Sequence, residues 1–170
     1  MRVSWIIAAL SLGLTASAMN ILDADVSNMD LFQIPPTLTA LAKGNSGDLS
    51  LTRRIASVRP GDMMQVSFNI PMEKQRTPEF SELLAAVYST DDGSLVKVLS
   101  KAPAKQIDGL RDAEFRGGRD IRLYLPVSGL KNAKDFVMYK LALIAPERDP
   151  SGLWKRYSAD TMLFAYDGAN

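Results

Sequence analysis

The sequence predicts an all-β chain, folded as an immunoglobulin-like antiparallel β-sandwich of about seven or eight strands. Three observations carry that expectation. Met64, Val66, Phe68 and Ile70 alternate with Met63, Gln65, Ser67 and Asn69, the period-two pattern of a half-buried strand. Further apolar runs recur at intervals of roughly 10–20 residues, separated by turns rich in Gly, Pro and Asp. The 170 residues, 46% of them hydrophobic, suffice for one domain around one core. A β-barrel or a jelly roll is the alternative arrangement of the same strands.

Residues 1–18 read as a secretory signal peptide. Arg2 is the charged n-region, Trp5 to Leu14 the apolar stretch, and Ala16-Ser17-Ala18 the small-x-small cleavage site. That stretch is shorter than the roughly 20 residues a spanning helix needs, and no later one approaches the length. No stable membrane span is therefore expected after cleavage. No Cys follows the cleavage site, which excludes a lipoprotein anchor. Residues 19–48 are expected to form an N-terminal extension that packs on the core or on a partner. Pro35-Pro36 interrupts it, Thr37 to Leu41 suits a short strand, and Lys43 to Asp48 is rich in turn residues.

The single sandwich domain then spans residues 49–170. Leu49, Leu51 and Ile55 mark one strand ending at Val58, and Arg59-Pro60-Gly61-Asp62 is a turn. The alternation that follows stops at Pro71. Residues 77–88 carry two signals. Phe80, Leu83, Leu84 and Val87 have helical spacing, and Thr77-Pro78-Glu79 would start a helix. Yet Leu83 to Tyr88 runs into Ser89-Thr90-Asp91-Asp92-Gly93 and then into Leu95 to Leu99, a hairpin pattern. Strand–turn–strand is the expectation, with a short helix at 77–88 as the alternative. Ala113 to Phe115 and Ile121 to Leu125 flank a Gly117-Gly118 turn. Phe136 to Ile144 reads as a central strand with Val137, Tyr139, Leu141 and Leu143 on one face. Met162, Phe164 and Tyr166 alternate in the last one.

The chain has no histidine and no cysteine. That removes disulfides, thiol nucleophiles, zinc–thiolate and iron–sulfur sites, Ser-His-Asp triads and His-ligated metals. Its net charge is +1, and loss of Arg2 with the signal leaves the mature chain formally neutral. Nucleic-acid binding needs a basic surplus, so none is expected. An exported chain without Cys points to a bacterial periplasm or exterior.

The remaining chemistry is sparse. Ser94-Leu95-Val96-Lys97 and Ser128-Gly129-Leu130-Lys131 match Ser-x-x-Lys, but one falls on an expected strand, where i and i+3 face opposite ways, and the other in a loop. Asp23, Asp25 and Asp30 lack the Gly and Glu of a calcium loop, and Asp91-Asp92-Gly93 suits a hairpin turn. Met63, Met64 and Met72 offer soft ligands, although Met64 belongs to the core of its strand. No catalytic set, metal site or cofactor is expected.

Two surface groups suit binding. Arg111, Arg116, Arg119 and Arg122 surround the Gly117-Gly118 turn and would contact an anionic glycan or an acidic partner. Asp112, Glu114 and Asp120 are interleaved with them, however, as on a charged hairpin that resists edge pairing. Trp154, Lys155 and Tyr157 follow a Pro-Gly loop and would stack on a sugar or anchor a partner, unless the rings cap the core. The expected function is that of a non-catalytic binding module acting through protein–protein contacts in the bacterial cell envelope or at the cell surface. A carbohydrate-binding module is the alternative, and a carboxylate or Ser-Lys hydrolase the more remote one.

Overall fold

The computed structural model describes residues 20–21, 33–52, 56–70, 80–103, 121–130 and 136–168. In chain order they form β1 (Asn20–Ile21), α1 (Leu38–Gly44), β2 (Ser50–Leu51), β3 (Ala56–Val58), β4 (Met63–Asn69) and β5 (Glu82–Ser89). There follow β6 (Leu95–Pro103), β7 (Ile121–Pro126), β8 (Phe136–Arg148) and β9 (Trp154–Asp167). One sheet has the order β1-β7-β4-β2 and the other β3-β9-β8-β5-β6. The pairings are antiparallel except β1 with β7 and β3 with β9, where a short segment lies parallel along a long strand. The chain is an all-β sandwich.

Alternation decides which side chains fill the space between the sheets. Met64, Val66, Phe68 and Ile70 meet Ile121, Leu123 and Leu125 on one sheet. Opposite them stand Leu83, Ala85, Val87, Tyr139, Leu141, Leu143, Met162, Phe164 and Tyr166. Burial of a side chain such as Phe68 or Leu143 contributes roughly 1.5–3 kcal/mol before the cost of ordering it. As expected, β8 is a central strand, flanked by β5 and β9.

The strand–turn–strand reading of the hairpin holds. β5 and β6 pair across the Thr90–Gly93 turn, where Gly93 sits at φ +70. The helical spacing within β5 has a physical cause. The strand is buried on both faces, so its run of apolar residues satisfies either period. Residues 77–79 lie outside the described residues.

The second face of β5 and β8 is covered by the chain's own residues 33–48. Ile34, Leu38 and Leu41 pack on Leu84, Ala86, Tyr88, Val98, Ala142, Ile144 and Ala159. Here the structure corrects the expectation of a strand at Thr37 to Leu41, which forms the N-cap and first turn of α1. The Thr37 hydroxyl accepts the Ala40 N–H at 3.1 Å, and the helix turns Leu38 and Leu41 onto the sheet. The alternation of that pentapeptide was compatible with either state, and the apolar sheet face below selects the helix.

Polar contacts fasten this strap. The Tyr88 hydroxyl, which burial keeps protonated far above its ordinary range, donates to the Pro35 carbonyl at 2.7 Å. Leu95 N–H donates to Pro36 and Leu38 N–H to Gly93, both at 2.8 Å. At the far end, the Asn45 side chain bonds both backbone groups of Ala159, and Ser46 and Ser158 surround the Asp48 carboxylate. Gly44 is required by a close approach, since a Cβ there would run into the Tyr157 hydroxyl and ring.

A second correction concerns residues 49–58. They form not one strand but β2 in the first sheet and β3 in the second. Among the described residues, β2 and Thr52 meet β4 only from Ser67 to Asn69.

Candidate functional site

The sheet edges differ in how they are closed. The outer edge of β9 is occupied by three segments in turn: Asn45-Ser46 at Tyr157 and Ala159, the Leu51 N–H bonded to Asp160, and β3 along Phe164 to Tyr166. β6 is irregular, with two register shifts against β5; it carries Lys97 and Lys101 and ends at Pro103. Lysines, bulges and proline are the usual means of keeping an edge from pairing. β7 is flanked by Arg122 and Pro126 and meets β1 at Leu123 and Tyr124.

The stretch Met63-Met64-Gln65-Val66 of β4 has none of these devices. Its register with β7 is continuous, and it contains no charge, proline or bulge. On the opposite side β2 pairs only with Phe68 and Asn69, and Thr52 N–H adds a last bond to the Ser67 carbonyl at 2.8 Å. Backbone groups alternate along a strand, so the N–H and C=O of Met63 and Gln65 point the same way as that carbonyl. No described strand meets them.

Beside this edge lies a cleft of about 410 Å³. Ala56, Ser57 and Val58 of β3 line its other wall, with Thr52, Asp62, Ser67 and Met162 completing it. Met64, Met162 and Val58 are almost fully buried and form an apolar floor, whereas Gln65, Ser57 and Thr52 form a polar rim. Asp62 is the one ionisable residue among the described lining residues. Its carboxylate accepts the Arg59 N–H at 3.0 Å and closes the turn into β4. Met63 and Met64 project from opposite faces of β4, one 46% exposed and the other 2%, which does not suit convergence of their sulfurs on one soft metal. Among the described residues no group of three acidic side chains could hold a metal ion.

The residues singled out from sequence do not form one site. Arg111, Arg116 and Arg119 lie outside the described residues, as do Asp23, Asp25, Asp30 and residues 1–18. Arg122 is exposed on β7 and alternates with the buried Ile121 and Leu123, so it projects from the first sheet away from the core. Trp154, Lys155 and Tyr157 open β9 and belong to the strap side of the second sheet. The Trp154 ring packs against that cluster and lies 5.7 Å from the Tyr157 ring, while its covered indole N–H has no hydrogen-bond partner. The Tyr157 hydroxyl shares its proton between the Leu41 and Ala40 carbonyls in the middle of α1, at 2.9 and 3.1 Å. Lys155 is exposed and lies 3.8 Å from Glu147. Around these residues and Gln33 is a depression of about 500 Å³.

The first Ser-x-x-Lys match does not place its Lys against its Ser hydroxyl. The Ser94 hydroxyl donates to Asp92 at 2.7 Å, and Lys97 donates to the Ser128 backbone carbonyl at 2.8 Å. Lys131 is outside the described residues. Asp92 serves its turn, since the backbone N–H and hydroxyl of Ser94 hold its carboxyl below the usual range. Sequence reasoning missed the cleft because it depends on β2 and β3 entering different sheets. One local signal was present: strict alternation after Leu49 and Leu51 assigns the next inward position to Arg53.

No protein-family model matches the chain, and no curated protein matches it significantly.

Proposed function

We propose that this chain is an exported, non-catalytic β-sandwich that works by binding another protein in the bacterial cell envelope or at the cell surface. One observation carries the reading: a regular, uncharged stretch of β4 is left without a described neighbour, although the other long edges are covered or blunted. A strand edge displays a row of donors and acceptors that pair with any extended chain. Leaving one such row beside a cleft is costly in solubility unless a partner uses it. The signal-like leader and the absence of His and Cys support the rest of the reading. The test is to immobilise the mature protein and pass envelope extract over it. A saturable partner, displaced by free mature protein, is expected, and recovery of no specific protein refutes the proposal.

A further inference from the structure

The outer face of the second sheet is apolar beyond the strap as well as beneath it. That face carries the side chains alternating with the core-facing Val137, Tyr139 and Leu141 of β8 and Met162, Phe164 and Tyr166 of β9. The strap covers it at Ala142, Ile144 and Ala159, all nearly inaccessible. Past Ala142 the face meets water: Phe136 is 65% exposed, Met138 and Leu163 are exposed too, and Ala165 is half-buried. The strand register makes them neighbours, with Met138 opposite Ala165, Lys140 opposite Leu163 and Phe136 opposite Asp167. Single exposed apolar side chains are ordinary, whereas a cluster of large ones marks an interaction surface.

We infer that this patch joins two copies of the chain face to face. The charges at its ends select the occupant. Half-buried Lys140 closes one end and has no ionic partner among the described residues. Asp167 closes the other, four residues away or about 14 Å along the strands, and holds Arg59 at 3.7 Å. A carboxylate has lone pairs for a second cation. A two-fold axis in the plane of the sheet, crossing the strands at Met138 and Ala165, lays Met138 on Met138. The same rotation turns the Lys140 end of each copy onto the Asp167 end of the other, one strand spacing from the carboxylate. An uncharged surface would strip water from this ammonium without compensation, whereas a second copy brings it a counter-charge. Three large side chains per copy fall short of the roughly 800 Å² per partner of a standard interface, so the association is weak. The surface is separate from the β4 edge, which belongs to the other sheet.

Sedimentation equilibrium of the mature protein from about 0.01 to about 1 mM tests the inference, together with NMR of the methionine methyls. A monomer–dimer equilibrium with a dissociation constant on the order of 0.1 mM is expected. The Met138 methyl should shift with concentration, and the Met63 methyl, exposed on the first sheet, should not. Phe136→Ser alters a side chain open to water, so it should fold and weaken dimerisation at least about tenfold, each dimer losing two rings. Lys140→Asp and Asp167→Lys should each weaken it about three- to ten-fold. Combining them restores both pairs with signs exchanged and should return affinity to within about threefold of the parent. A chain that stays monomeric throughout this range overturns the inference, as does a dimer indifferent to Phe136→Ser. A double variant no tighter than the single ones overturns the two-fold pairing of the ends. Should loss of the Arg59 pair unfold Asp167→Lys, Phe136→Ser and the methyl shifts decide the question.

Discussion

Asn45 is the fastening whose removal most directly tests how residues 33–48 are held to the sandwich. Its amide acts as a fragment of strand: Nδ2–H donates to the Ala159 carbonyl at 2.7 Å, and Oδ1 accepts the Ala159 N–H at 2.8 Å. Asn45→Ala deletes both bonds, together with the exposed one that Oδ1 accepts from the Gly47 N–H at 2.9 Å, and leaves the backbone of Ala159, a residue 3% exposed, to find water. Each bond contributes about 0.5–1.5 kcal/mol net, and the exposed position of Asn45 lets water replace part of the loss, so about 1–2 kcal/mol is expected. For a domain of this size that lowers Tm by roughly 2–8 °C. Asn45→Asp separates the two bonds. It keeps the acceptor, loses the donor, and sets a carboxylate against a carbonyl, so it should be no better than Asn45→Ala. Calorimetry gives Tm, and hydrogen exchange gives the local effect: the Ala159 amide and the Ser46 amide, which donates to the Tyr157 carbonyl, should exchange faster while the Leu143 amide does not. A variant with unchanged Tm and unchanged Ala159 exchange would show that the strap is held by its apolar contacts alone.

The other predictions concern packing and charge. Gly44→Ala should destabilise the protein in urea melts even though Ala favours helix by about 1 kcal/mol, because its Cβ meets Tyr157; a stabilised variant contradicts the close packing of α1 on β9. Leu143→Ala, at a site with 0% exposure, should cost about 2–5 kcal/mol, and Leu163→Ala, at 40%, less than about 0.5 kcal/mol; equal losses would contradict the assignment of faces on the second sheet. Glu82 is 6% exposed and pairs with Arg148 at 2.6 Å and Lys101 at 3.1 Å, so Glu82→Gln should cost roughly 2–3 kcal/mol, less than a fully buried pair because both cations retain solvent. A loss below 1 kcal/mol in urea unfolding would show that water already screens the cluster.

Asp149 titrates below the usual carboxylate range, chiefly because the Ser151 hydroxyl donates to it, with backbone N–H groups of Leu153, Ser151 and Gly152 adding to the effect. A depressed folded value means that its contribution is present above the unfolded value of about 4 and is lost as pH falls through the folded one. Carboxyl NMR should place its midpoint below that of an unstructured Asp, and Ser151→Ala should move it back up. A midpoint at or above the ordinary value is the contrary result.

The strands were legible wherever one face is buried and the other wet. Residues 63–70 and 162–166 alternate in sequence as they do in the structure, because a half-buried strand can be satisfied by no other pattern. Doubly buried β5 left its period ambiguous, and the hairpin turn at Gly93 identified it instead. Thr37 to Leu41 was not legible, since five residues alternate as well in a strand as in a first helical turn. The cleft was less legible still. Between Leu49 and Val58 the one local sign against a single strand is that alternation assigns an inward position to Arg53.

By itself, then, the sequence determined the all-β class, the inward faces of the long strands, the turns at Gly61 and Gly93, and the absence of imidazole and thiol chemistry. These depend on composition and on periods of two, which each segment carries within itself. Tertiary structure alone decided that residues 33–48 cover the outer face of the second sheet and that β2 and β3 part company. It also decided that Met63 to Val66 keep an edge without a described neighbour. Those outcomes depend on which surfaces compete for each segment, and that competition involves residues more than a hundred positions apart, such as Asn45 and Ala159.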